Sequence, residues 1–351
     1  MLDRLAVHRL VAAVPATNVD DAALLTVLQH WFARWLVDPM TVYHDARQLL
    51  PAYDEQLSVQ RTIPSLQEPM TIIGIDGSQI YPDRHQGTML GLLQLAAVAL
   101  TYQQPQSSMH GHTDLQLIDG MQAQYGNGTA VDAARYCAEL AIGIQVAPGY
   151  QPSVVMLDGS LIAWQLQELG MQRQQEYVAL ITQAMEQYRQ QQLLHVAYIS
   201  SPNTKELLSL IVAYAQQQGS IINAEQFVDA AMLRGCLAVG QVTPWLLSRA
   251  PVTALYPEQL RPWFCYINTG TEIGRLEIPH WLFTNHGARE QILAAVMQQL
   301  TYGYGFPVVL SQAHAATVIT AADRDYFYTT IARLHGTVSS TKNRLKQRMP
   351  Y

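Results

Sequence analysis

A mixed α/β sheet covered by helices is the fold class this sequence predicts, and three observations predict it. Two short, continuous apolar runs, Thr71–Ile75 and Ser153–Leu157, are bounded by turn residues, as strands covered on both faces are. Segments of helical period alternate with such runs through the middle of the chain, the pattern of a sheet with helices packed on it. Two later segments, Trp263–Asn268 and Glu272–Ile278, flank Thr269-Gly270 like the arms of a β-hairpin.

Taken in order, residues 1–70 read as an N-terminal helical segment. Ala22–Leu36 repeats apolar residues at helical spacing and Val42–Tyr53 does so more weakly, before Pro64 and the polar stretch to Pro69 break the pattern. The main domain is expected at 71–335. The run Thr71–Ile75 ends in Asp76-Gly77-Ser78, and Met89–Leu100 and Leu115–Ile118 are the next strands. Val131–Val146 has a helical period, and Ser153–Leu157 then repeats the first pattern, leading into Asp158-Gly159-Ser160. A long Gln-rich helix is expected between about Leu161 and Gln192, followed by a strand at Leu193–Ile199 and a helix from near Lys205. Asn285 is placed to cap a helix over Gly287–Leu300. Thr320 and Asp323 resemble a capping box for a last helix reaching about Leu334. Residues 336–351 form a basic C-terminal tail.

The 351 residues are 49% hydrophobic and 14% charged, which describes a globular chain with ample core and excludes a disordered one. A net charge of −6 argues against the pervasive basic surface of a non-specific DNA binder. The charge is uneven, because residues 333–351 carry Arg333, Lys342, Arg344, Lys346 and Arg348 and no acid. That stretch reads either as a phosphate contact or as a solubilising terminus. Cys137, Cys236 and Cys265 lie far apart with no CxxC or Cys/His spacing, as thiols in a reducing compartment would. No charged segment followed by an apolar core opens the chain, and the longest apolar stretch, Met89–Leu100, is interrupted by Gln94 and too short to span a bilayer. A cytoplasmic protein without membrane contact is expected. Neither GxxxxGK[ST] nor a GxGxxG after a strand is present, so nucleotide cradling by such loops has no support.

Asp76 and Asp158 carry the chemistry. Each opens an Asp-Gly-Ser triplet after an apolar run, at the carboxyl end of a strand where α/β proteins bind ligands. Asp-Gly is also a common turn, so each alone reads equally as punctuation. If the two strands are neighbours, the carboxylates repel unless a cation neutralises them, and hard oxygen ligands suit Mg²⁺ or Mn²⁺. On the helix from Val131, Asp132, Arg135 and Glu139 share one stripe, spaced by three and four. That stripe either faces a metal cleft or is an ordinary i,i+4 surface pair. Two carboxylates on strands and a third on a helix suit two-metal phosphodiester hydrolysis, with the ions about 4 Å apart.

At these residues the chain resembles the NurA nuclease family. The resemblance begins at Ile75-Asp76-Gly77-Ser78-Gln79 and runs through Pro82-Asp83-Arg84-His85, Arg135-xxx-Glu139 and Met156-Leu157-Asp158-Gly159-Ser160-Leu161. It continues in Arg275-Leu276-Glu277-Ile278-Pro279-His280-Trp281, and in Gly305-Phe306-Pro307-Val308-Val309-Leu310 leading to Ala313-His314. The resemblance implies an RNase H-like core and a Mn²⁺- or Mg²⁺-dependent deoxyribonuclease using two ions. Its role would be 5′-end resection of single- or double-stranded DNA in double-strand break repair, as a homodimer working with a HerA-type hexameric ATPase. It implies Asp76, Glu139 and Asp158 as metal-binding carboxylates and His314 as a further ligand or general acid/base. Lys205 stands where the family often has a basic residue, and Arg84 and Lys205 are the candidate DNA contacts. The plain readings are a structural helix position for His314, a solvated helix start for Lys205, and an internal salt bridge for Arg275 with Glu277. Phe306 departs from the family's usual Tyr, so no hydroxyl acts there.

Two readings of other classes compete with a nuclease. One is a non-catalytic adaptor with a decayed nuclease core that binds DNA or the ATPase. The other is a metal-dependent hydrolase of small phosphate esters.

Overall fold

The computed structural model describes residues 19–37, 52–53, 61–62, 69–86, 88–102, 107–121 and 128–335. In chain order the elements are α1 (Val19–Val37), β1 (Ala52–Tyr53), β2 (Arg61–Thr62), β3 (Met70–Ile80), β4 (Leu90–Tyr102), β5 (Ser108–Asp119), α2 (Gly128–Val146), β6 (Ser153–Asp158), α3 (Met171–Gln190) and β7 (Leu194–Ile199). They continue with α4 (Glu206–Gln217), α5 (Asp229–Leu233), β8 (Gln241–Val242), β9 (Leu246–Leu247), β10 (Pro262–Asn268), β11 (Ile273–Pro279), α6 (His280–Thr284), α7 (His286–Tyr302), α8 (Val308–Thr317) and α9 (Ala321–His335).

One mixed sheet runs β1-β9-β10-β11-β7-β6-β3-β4-β5, with β2 joined through β8 to β10. Only β3, β6 and β7 run parallel; every other pairing is antiparallel. Alternation along the strands splits the core between two faces. On one face Ile73, Ile75, Val155, Leu157 and Ala197 pack against α2 and α3. On the other, Ile72, Val154, Met156, Val196 and Leu276 pack against α6, α7 and α8. Farther along the first face, Phe264, Tyr266 and Ile273 are covered by α1, α4 and α5. Burying Ile72 and Ile73 together is possible only because both faces are roofed, which is why this strand reads as a continuous apolar run.

The caps behave as their residues require. Asn285 Oδ1 accepts from Ala288 N at 3.2 Å, and Thr320 and Asp323 exchange the reciprocal pair of a capping box. Three expectations are corrected. Asp76 does not end its strand, since β3 continues to Ile80, paired with β4 as far as Ile80↔Leu92. The helix expected from Leu161 begins only at Met171, because Glu277 takes the amide of Leu161 and the hydroxyl of Ser160 and holds the start of that stretch out of the helix, with a short 3₁₀ turn at Trp164–Glu168 between. Ala52–Tyr53, assigned to a weak helix, pairs with β9 as a strand. The rest of that segment, 42–51, and the tail 336–351 lie outside the described residues. No described helix is long and apolar enough to cross a membrane.

Candidate metal centre

Two close approaches on β3 build the site. An added Cβ at Gly74 would stand 2.4 Å from the backbone of Val309, so α8 lies directly on the strand there. One and a half turns farther along, α8 delivers His314 and Thr317 to Asp76, two residues on along the same face of β3. His314 Nδ1 is 2.9 Å from Asp76 Oδ2, and Thr317 Oγ1 donates to the same oxygen at 3.0 Å. The other oxygen, Oδ1, accepts from Gly77 N at 2.8 Å. The Ser78 hydroxyl, next on this face, donates to the carbonyl of Thr317 and ties the end of α8 to the strand.

The opposite face mirrors this arrangement. An added Cβ at Gly143 would meet Ile75 Cδ1 at 2.5 Å and the Tyr188 hydroxyl oxygen at 2.0 Å, so α2 also rides close to β3. One turn earlier on α2, Glu139 reaches Gly77, where an added Cβ would stand 2.7 Å from Glu139 Oε1. Any side chain at Gly77 would displace that carboxylate. Arg135 Nη1 donates to Glu139 Oε1 at 2.5 Å and to Gly77 O at 2.9 Å, fastening the acid to the strand.

Asp158 completes the set from β6. The parallel pairing of β3 with β6 ends at Ile75↔Leu157, so Asp76 and Asp158 follow side by side on strands about 4.8 Å apart. The ligand end of the sheet is therefore set by where β6 stops, although β3 runs on. Burial pushes Asp158 up to about 6; the charge of Asp76 adds to that, while His314 and Arg135 oppose it. Burial pushes Glu139 up to about 8; Arg135 pulls it back, and Asp76 and Asp158 push it higher. These acids are crowded and short of positive charge. Among the described residues, no three His, Cys, Asp or Glu side chains converge to hold one ion as they stand. Hard carboxylate oxygens with one imidazole, mutually repelling and partly buried, nevertheless fit a divalent cation.

The other sequence candidates fall elsewhere. Asp132 leaves the Glu139 group, its carboxylate accepting from Tyr81 Oη at 2.6 Å and Gln79 Nε2 at 3.1 Å. Lys205 is exposed just before α4 and donates to the carbonyl of Glu225. The side chain of Arg84 lies outside the described atoms. Arg275 and Glu277 form the expected internal pair, Nε to Oε1 at 2.7 Å, and Arg275 also reaches Glu206 Oε2 at 2.7 Å. Thr317 was missed; the only signal for it was Gly74, which marks where α8 must dock. Phe306, in place of the family's Tyr, packs edge-on against Tyr198.

A helix-roofed mixed sheet, with two carboxylates side by side on β3 and β6 and a histidine brought to them by α8, is an RNase H-like fold. Its family follows from comparison: the NurA domain matches residues 70–319, and the chain belongs to the NurA family. The NurA nuclease from Sulfolobus solfataricus is similar in structure at a TM-score of 0.51 and 11% identity, with 91% of this chain and 97% of that one covered. A NurA structure bound to dAMP and manganese scores 0.40 at 11% identity, covering 95% and 98%. Human ENDOV scores 0.33 at 12%, covering 88% and 100%. No curated protein matches the sequence.

Proposed function

We propose that this chain is a divalent-metal-dependent DNA nuclease, hydrolysing phosphodiester bonds with two Mn²⁺ or Mg²⁺ ions. The observation that carries this reading is the Asp76–His314 contact, on a face where Asp158 stands beside Asp76 and Glu139 presses in behind Gly77. Asp76, Glu139, Asp158 and His314 would hold the metal. When bound, it supplies Lewis-acid charge for an attacking water and for the leaving oxygen. The chain's own residues do the rest. Thr317 and the Gly77 amide fix the carboxylate of Asp76, and Arg135 fixes that of Glu139. His314 is tied through Nδ1, which leaves Nε2 either to ligate the metal or to exchange a proton.

Family membership supports DNA as the substrate, with action at DNA ends of the 5′-resection type in double-strand break repair. On the same ground we take it to act as a homodimer partnered by a HerA-type hexameric ATPase, and the scattered cysteines, as thiols of a reducing compartment, support a place in the cytoplasm. Purified protein with Mn²⁺ should degrade end-labelled single- or double-stranded DNA, and Asp76→Ala and Asp158→Ala should each abolish that activity. Undiminished cleavage by both variants rejects the site.

Two observations favour the second reading, an adaptor with a decayed core: Glu139 is already paired with Arg135, and no three ligands converge among the described residues. A Mn²⁺ titration separates the two. A nuclease binds Mn²⁺ with an affinity that depends on Asp76, whereas an adaptor need not.

A further inference from the structure

His110 and His112 stand two apart in the run His110-Gly111-His112-Thr113-Asp114 and take no part in the carboxylate site. Both lie on β5, the last strand of the sheet, and alternation turns them to one face about 7 Å apart. The register fixes that face. His112 pairs with Ala97 and His110 with Ala99, and Ala97 in turn pairs with Ile75, so both histidines project on the α2 side. Asp76, one residue on from Ile75, points to the other side and lies two strands away. The histidines and the carboxylates are therefore separate sites.

A third group meets the pair. Tyr150 ends the 3₁₀ turn Ala147–Tyr150, through which the chain passes from α2 to β6. Its hydroxyl oxygen is 2.8 Å from His112 Nε2, and its ring centroid is 5.8 Å from that of His112 and 6.2 Å from that of His110. Both histidines are exposed, while Tyr150 is half-buried and packs against the core on that face. Among the described residues His110 makes no hydrogen bond, which leaves its ring nitrogens available.

These distances suit an ion. With metal–ligand bonds of about 2 Å and tetrahedral angles, a histidine and a tyrosine ring on one ion have centroids about 6 Å apart and ligating atoms about 3.3 Å apart. The centroid condition is met by both histidines. The other asks the His112–Tyr150 contact to open by only about half an ångström. Two imidazoles with one oxygen donor suit a borderline cation such as Zn²⁺ or Cu²⁺ better than Mg²⁺ or Mn²⁺, which favour carboxylate and water oxygens. Asp114, next on the same row, accepts from Leu115 N and Gln116 Nε2 and adds negative charge beside the site.

We propose that His110, His112 and Tyr150 form a second metal site, for a borderline divalent cation of the zinc class, with water in the fourth position. His112 Nε2 and the Tyr150 oxygen take the ion in place of the hydrogen bond they share, and one proton, that of the Tyr150 hydroxyl, passes to solvent. The ion ties the outermost strand, which pairs with β4 alone among the described strands, to the turn that leaves α2. This site stands whether or not the chain is a nuclease.

The test is a Zn²⁺ titration of the full chain by competition with a chromophoric chelator, in excess Mg²⁺ to occupy the carboxylates. One Zn²⁺ per chain is expected. His110→Ala and His112→Ala should each weaken binding at least ~10-fold, Tyr150→Phe about as much, and Asp158→Asn should leave it unchanged. Co²⁺ in place of Zn²⁺ should show the intense visible bands of a tetrahedral site in the wild type and lose them in His112→Ala. Zn²⁺ should raise the Tm of the wild type and of Asp158→Asn but not that of His112→Ala. Tyr150→Phe keeps the ring and removes only the oxygen, so it decides even if a histidine variant disturbs β5. Absence of Zn²⁺ binding, full binding by any of the three variants, or loss of binding in Asp158→Asn overturns the site.

Discussion

Two groups of buried and half-buried carboxylates in this fold are treated in opposite ways. Glu206 and Glu277 share Arg275, each at 2.7 Å, and Glu277 spends its second oxygen on Ser160 and Leu161. Glu139, Asp76 and Asp158 have one arginine and one exposed histidine among them, and burial with mutual repulsion raises Glu139 to about 8 and Asp158 to about 6. The first group is neutralised by the protein and holds a loop. The second is left short of positive charge, which a structural role does not require and a metal would repair.

Breaking the balanced group should cost the most. Arg275→Leu leaves two buried acids without their cation, and we expect a loss of about 3–5 kcal/mol in stability, read from urea unfolding. A loss below ~1 kcal/mol would show that the pair is not the structural element described here. Next comes the pH response of the unbalanced group. Glu139 and Asp158 have folded-state values above their unfolded ones, so the folded state binds more protons. Their contribution is fully present below about pH 4 and is lost as pH rises through about 6 for Asp158 and about 8 for Glu139. The Tm should therefore fall between pH 5 and 8, by roughly 1–2 °C for each kcal/mol in a chain of this length. Glu139→Gln should flatten the slope, and Mn²⁺ at pH 8 should restore the lost stability. A smaller effect is expected from Thr317→Val, which removes a donor to Asp76 Oδ2 and should weaken Mn²⁺ affinity about 10-fold with little change in Tm. An unchanged Mn²⁺ affinity would show that Thr317 does not hold Asp76 for metal.

Much of this contrast was legible in the chain. Apolar runs marked β3, β6 and β7, and the spacing of Arg135 and Glu139 showed an i,i+4 pair, though not that its acidic end is buried under Gly77. The Asp-Gly-Ser triplets drew attention to two carboxylates that stand side by side in the sheet, for a partly wrong reason. At Asp76 the triplet looks like a turn but is strand, because β4 continues to pair after β6 has stopped. The contacts of Thr317 with Asp76 and of Glu277 with Ser160 join residues 241 and 117 positions apart, and no local pattern encodes them. Gly74 and Gly143 were the visible traces of the helix docking that creates the site, yet each reads locally as an ordinary small residue.

The central claim is that Asp76, Glu139 and Asp158 are short of charge because they hold metal. Calorimetric titration of Mn²⁺ at pH 7, repeated in two buffers of different ionisation enthalpy, tests it directly. Binding should release protons, because burial pushes the Glu139 carboxyl well above the usual carboxylate range and a ligating carboxylate must be ionised. Asp158→Asn should weaken binding at least ~10-fold. Absence of Mn²⁺ binding, or binding that Asp158→Asn leaves unchanged, would contradict the account.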